Sequence, residues 1–121
     1  MTVRARQALR DAMSADSPDE RFRLAHLAAL RAAGAVIADR GGRPRPRQRL
    51  QSAWVLLATV APDLAGWSRL FAAAAPERAA IEAGGRSVVG EQVAAQELQR
   101  AETFLRLVEQ SLGQIPVPLA S

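Results

Sequence analysis

Ser17-Pro18-Asp19-Glu20-Arg21-Phe22-Arg23-Leu24-Ala25-His26-Leu27-Ala28-Ala29-Leu30-Arg31-Ala32-Ala33-Gly34-Ala35-Val36-Ile37 is the stretch on which the fold turns. It opens like a helix start. Ser17 is placed to cap, Pro18 suits the first helical position, and Glu20 is spaced to reach back as a capping box. The helix is expected to run to about Asp39 and to stop at Gly41-Gly42. At about 100° per residue, Phe22, His26, Ala29, Ala33, Val36 and Ile37 share one side, while Leu24, Ala28 and Ala35 take the opposite one. A helix this apolar all round needs neighbours on more than one flank, so it belongs at the centre of a bundle.

Working outward, the flanking segments supply those neighbours. Val3 to Met13 places Ala5, Ala8, Leu9, Ala12 and Met13 on one side. Ser52 is placed to cap a helix carrying Trp54, Leu56, Leu57 and Val60. Ala61-Pro62-Asp63 ends that helix and opens another with Leu64, Trp67, Leu70, Phe71 and Ala74 at spacings of three and four. Pro76-Glu77 is expected to kink or restart it, because proline lacks the amide a helix interior needs. From about Glu91 to Leu112, Ala94, Leu98, Ala101, Leu105, Val108 and Leu112 form the clearest apolar stripe. No segment alternates as a strand would, and no internal repeat is present. The expectation is an all-α, four- to five-helix bundle in one domain over residues 1–112, followed by a Pro-rich, extended tail at 113–121.

Charge is concentrated in one place. Arg40-Gly41-Gly42-Arg43-Pro44-Arg45-Pro46-Arg47-Gln48-Arg49 holds five arginines and no acid, against a formal net charge of +4 for all 121 residues. The rest of the chain is therefore slightly acidic. A helical body with one basic connection between two helices attracts polyanions, and phosphate backbones are the commonest of these. Arg40, Arg43, Arg45, Arg47 and Arg49 are the candidate contacts, through bidentate pairing that arginine makes with phosphate. The alternative is a solvated, extended connection that only keeps the protein soluble.

Several classes are excluded by what the chain lacks. Without cysteine there is no disulfide, thiol nucleophile or Cys-type zinc site, and one histidine cannot build a His-rich metal centre. No metal and no cofactor is expected. No apolar run approaches the ~20 residues that span a bilayer, and Met1 to Arg6 lacks the core of a secretory signal. The expectation is a cytoplasmic protein with no membrane partner.

One pair invites catalysis. Arg21 and His26 lie five positions apart, and an imidazole with a guanidinium could serve a metal-independent ribonuclease as acid or base and as phosphorane stabiliser. Five positions is about 500°, however, so the two side chains leave the helix about 140° apart. His26 also sits within the apolar face, where packing is the commoner role. Gly84-Gly85-Arg86-Ser87-Val88-Val89-Gly90 has a faint look of a phosphate loop but lacks the Lys-Ser/Thr ending and a preceding strand. Trp54, Trp67, Phe71 and Phe104 fall on apolar faces and read as core rather than base-stacking platforms.

The run Arg21 to Ile37 resembles a small actinobacterial group within the HEPN (higher eukaryote and prokaryote nucleotide-binding) superfamily. Ser52-Ala53-Trp54-Val55-Leu56-Leu57, Ala61-Pro62-Asp63-Leu64-Ala65-Gly66-Trp67 and Ala101-Glu102-Thr103-Phe104-Leu105 are similar to it as well. The resemblance implies a helical bundle, often a homodimer, in a superfamily tied to RNA. Many members are ribonucleases with an Arg-x4–6-His motif at a dimer interface, and others bind RNA or protein partners without it. Carried over residue by residue, the motif falls on Arg21 and His26. In this superfamily it usually sits at the start of a later helix and is often followed by a polar residue, whereas here it is on the second helix and Phe22 follows. The reading favoured is a non-catalytic, homodimeric module that binds RNA or another nucleic acid. The alternatives are a ribonuclease using Arg21 and His26 across a dimer interface, or a protein-interaction module.

Overall fold

The computed structural model describes residues 1–41 and 52–113. Five α-helices account for most of them: α1 (Val3–Met13), α2 (Pro18–Val36), α3 (Ala53–Val60), α4 (Ala65–Glu82) and α5 (Glu91–Ser111). A π-helical turn, Ile37–Gly41, extends α2, and a 3-10 turn, Pro62–Leu64, leads into α4. No strand occurs among the described residues, and the fold is the expected all-α bundle. The tail from 114 onward and Arg43, Arg45, Arg47 and Arg49 lie outside the described residues.

Why α2 is central follows from its composition. Ala25, Ala28, Ala29, Ala32, Ala33, Ala35 and Val36 are all buried, and they lie on opposing sides of the helix. Small side chains let neighbours approach from several directions, and α2 packs against each of the other four helices. Its start is as expected in part. Ser17 Oγ accepts from the Glu20 amide at 3.1 Å, but the Glu20 carboxylate turns to Arg23 instead of reaching back. That ion pair holds Glu20 below its ordinary carboxyl range, chiefly through the Arg23 hydrogen bond.

The main core joins Leu9, Trp54, Leu57, Leu64, Phe71, Phe104, Leu105 and Val108 to the alanines of α1 and α2. Phe71 and Phe104 are tilted at 5.3 Å, and Trp54 stacks on Phe71 at 5.0 Å. Such aromatic pairs stabilise beyond their area, by about 0.5–1.5 kcal/mol each. Trp67 is only partly buried but stacks on Phe71 as well. A smaller cluster of Phe22, Val89 and Ala94 closes the bundle end where α4 turns into α5.

Of the two alternatives at Pro76, the restart does not occur: α4 runs through it to Glu82. Pro76 is exposed, so its ring disturbs a solvent-facing turn and leaves the buried face intact. The second helix passes into a π-helical turn before it ends. A Cβ at Gly41 would come within 2.8 Å of Val60 Cγ1, so the turn brings backbone close to the end of α3.

Candidate functional site

The end of α4 is built to terminate. Gly84 has φ 92°, its amide donates to Ile81 O, and the Gly85 amide donates to Ala80 O at 2.9 Å. This is a Schellman turn, in which glycine takes the left-handed position. The following amides of Val88 and Val89 point at an anion, as a phosphate loop would require. The anion is internal: Asp19 accepts from Val88 N at 3.1 Å and from Val89 N at 2.9 Å. This carboxylate at the start of α2 fills the position a phosphate would take.

The basic segment begins with a tethered arginine. Arg40 donates to Asp63 Oδ1 at 2.6 Å and to Ser111 Oγ at 2.7 Å, joining the π-helical turn to the 3-10 turn and to the end of α5. The hydrogen bond from Arg40 lowers the Asp63 carboxyl below its usual range, and the same bond raises the Arg40 guanidinium. Of the five candidate phosphate contacts, Arg40 is thus already engaged within the chain.

Arg21 and His26 are not brought together. Arg21 Nη2 donates to the carbonyl of Ala15 at 2.8 Å and so braces the α1–α2 connection. His26 lies inside the bundle with 1% of its surface exposed. Its ring stacks with Phe22 at 6.4 Å and meets the edges of Trp54 at 5.7 Å and Phe71 at 6.1 Å.

Its polar partner is Glu97 on α5. His26 Nδ1 and Glu97 Oε2 are 2.9 Å apart, and Glu97 is likewise 1% exposed. A carboxylate that accepts from an imidazole N–H orients the ring, which is a device of general-base catalysis. Here the ring is enclosed by aromatics. A cleft of about 330 Å³ reaches Glu97 between α4 and α5, with Phe22, Glu77, Gln96 and Arg100 also in its lining. His26 is absent from that lining. The arrangement brings a polar pair into the core and ties α2 to α5.

Glu97 was not singled out from sequence as this partner, although a signal exists. On α5 it lies three residues after Ala94 and four before Ala101, both fully buried, so a carboxylate stands on the inward face. A lone histidine on the inward face of α2 is the matching half. Among the described residues no group of three or more His, Asp or Glu side chains could hold a metal ion, and no helix is long and apolar enough to cross a membrane.

Searches of curated proteins and of solved structures found no match to this chain. A family model described as HEPN_SAV_6107-like HEPN matches residues 12–109, from the end of α1 almost to the end of α5. That span takes in α2, the basic connection and the helices that enclose His26 and Glu97, and the chain accordingly belongs to the HEPN superfamily, as a SAV_6107-like HEPN domain.

Proposed function

We propose that this HEPN domain is a non-catalytic binding module that meets RNA or another nucleic acid through the phosphate backbone, with Arg43, Arg45, Arg47 and Arg49 as the contacts. The observation that carries the reading is the separation of charge from the candidate catalytic pair. Five of 16 basic residues fall within residues 40–49, while the only histidine is sealed in the core against Glu97. Arg40, held by Asp63 and Ser111, anchors the entry to the basic segment and is not itself counted as a phosphate contact.

Contacts of this kind bind backbone and read no sequence. Four of them imply that affinity for single-stranded RNA falls with salt at a log–log slope of roughly −3. Changing Arg43, Arg45, Arg47 and Arg49 together to Ser should flatten the slope and weaken binding almost equally for every sequence. Helix content should hardly change, because proline disfavours a helix interior and the substitutions leave Pro44 and Pro46 in place. Fluorescence anisotropy over a salt series decides it. No binding by wild type at low salt, or equal binding by both proteins, would favour the protein-interaction reading. An RNase activity lost in His26→Ala at unchanged thermal stability would put the ribonuclease reading first.

A further inference from the structure

A second cavity has one wall formed by Trp54, the ring that also meets His26. It is an open groove of about 370 Å³ between α3 and α4, within the size range of small-molecule sites. Trp54, Val55 and Ala58 from α3 face Ala72 from α4 across it. These walls are apolar. The polar side chains in the lining are Thr59 on α3 and two neighbours on α4, Ser68 and Arg69.

The two on α4 have donors without acceptors. Ser68 is 4% exposed, and its Oγ is buried with no hydrogen-bond partner. A hydroxyl inside a helix commonly bonds back to a carbonyl one turn earlier, as Thr59 Oγ1 does to Val55 O at 3.0 Å on the facing helix. Ser68 forgoes that bond. The Arg69 side chain makes no ion pair and no hydrogen bond among the described residues; those of Arg4, Arg86 and Arg100 share that state, but of these only Arg69 lines this groove. Buried polar groups are normally satisfied, so an orphan beside an unpaired guanidinium asks for an acceptor.

We propose that this groove binds a small molecule with an apolar body and a single carboxylate. The body would lie along Trp54, Val55, Ala58 and Ala72. The carboxylate would accept from the Arg69 guanidinium and, after a side-chain rotation that turns its buried Oγ to the groove, from the Ser68 hydroxyl. A carboxylate matches the planar fork of arginine bidentately. A phosphate monoester suits the groove less, since its third oxygen and second charge would face apolar wall with no further donor. The site is independent of the nucleic-acid reading and stands or falls by itself.

The test is an NMR titration of the full chain with phenylbutyrate and, separately, with its neutral amide. The amides of Ala58, Ala65, Ser68 and Ala72 should shift saturably, with the acid bound about tenfold more tightly than the amide, as a charge-assisted pair implies. Arg69→Gln should abolish that preference. Ser68→Ala should weaken the acid severalfold at unchanged helix content, and Ala72→Phe should fill the groove and block both ligands. The substituted Arg69 and Ala72 are exposed, so those variants keep the fold. Absence of saturable shifts in this region, equal affinity for acid and amide, or a preference that survives Arg69→Gln would each overturn the proposal.

Discussion

Cutting the His26–Glu97 pair removes the polar partner of a buried group: without Glu97 the imidazole is left among Phe22, Trp54 and Phe71, and without His26 the carboxylate is left at the inner end of the α4–α5 cleft. The size of the penalty reports the state of the pair. If it is an ion pair, Glu97→Ala should cost about 3–5 kcal/mol; if it is a neutral hydrogen bond, about 1–3 kcal/mol. Replacing both residues by leucine should cost less than the sum of the single leucine changes, because neither orphan remains. Urea unfolding of the four proteins in that cycle provides the measurement, and additive losses would show that the two groups are not coupled. Arg40 makes a different case at the same scale. Its bond to Asp63 is exposed and screened by solvent, so its effect is better read by titration than by stability. Because the folded Asp63 carboxyl is lowered, any contribution is present above its unfolded value and is lost as pH falls through the folded one, in the acid range. Arg40→Gln should return Asp63 to the ordinary carboxyl range, as followed by the NMR shift of its side-chain carbon. An unchanged Asp63 titration would remove Arg40 as the cause.

Helices were legible because an apolar stripe at a period of 3.6 needs only local spacing, and Ser17 and Ser52 signal two of the starts by side chains that do accept from Glu20 N and Val55 N. What was not legible depended on contacts far apart in the chain. Glu97 and His26 are 71 residues apart, and Asp19 meets the Val88 and Val89 amides across a similar interval. Local reasoning could see that 84–90 is a turn but not that a carboxylate already occupies its amides. Nor could it see how Pro76 is accommodated inside one helix: the carbonyl it frees one turn earlier, that of the exposed Ala72, is satisfied more easily by water than one facing the core. Two outcomes follow for these elements. Pro76→Ala restores a helical hydrogen-bond donor, and thermal unfolding should show a gain of about 1–3 kcal/mol; destabilisation would mean that the ring itself packs usefully. Asp19→Ala should expose the Val88 and Val89 amides to much faster hydrogen exchange and lower stability by about 1–3 kcal/mol. Protection unchanged at both amides would show that the turn holds without Asp19.

Across the whole molecule the helices are held unequally. α3, α4 and α5 bring Trp54, Phe71 and Phe104 to the core, large side chains that bury much apolar surface. α1 contributes Ala5, Ala8, Ala12 and a single large residue, Leu9. At about 0.8 kcal/mol for each buried methylene equivalent, three alanines and one leucine hold a helix weakly. Its attachment therefore leans more on polar contacts: Arg6 donates to Glu109 Oε1, Thr2 Oγ1 to Glu109 Oε2 at 3.3 Å, and Arg31 to the Arg4 carbonyl at 3.2 Å. Glu109 is buried and serves α1 from the last turns of α5, so it acts as a clasp between the two ends of the described chain. Native proteins open in units, and the unit with the least buried apolar area opens first. Glu109→Ala should accordingly let α1 detach without unfolding the rest. Hydrogen exchange at the amides of Ala8, Leu9 and Ala12 should accelerate strongly, while Ala29 in α2 and Leu105 in α5 should follow only the smaller change in global stability. Equal acceleration in all three helices would mean that α1 and the bundle unfold as one unit, with Glu109 supporting the whole molecule rather than one helix.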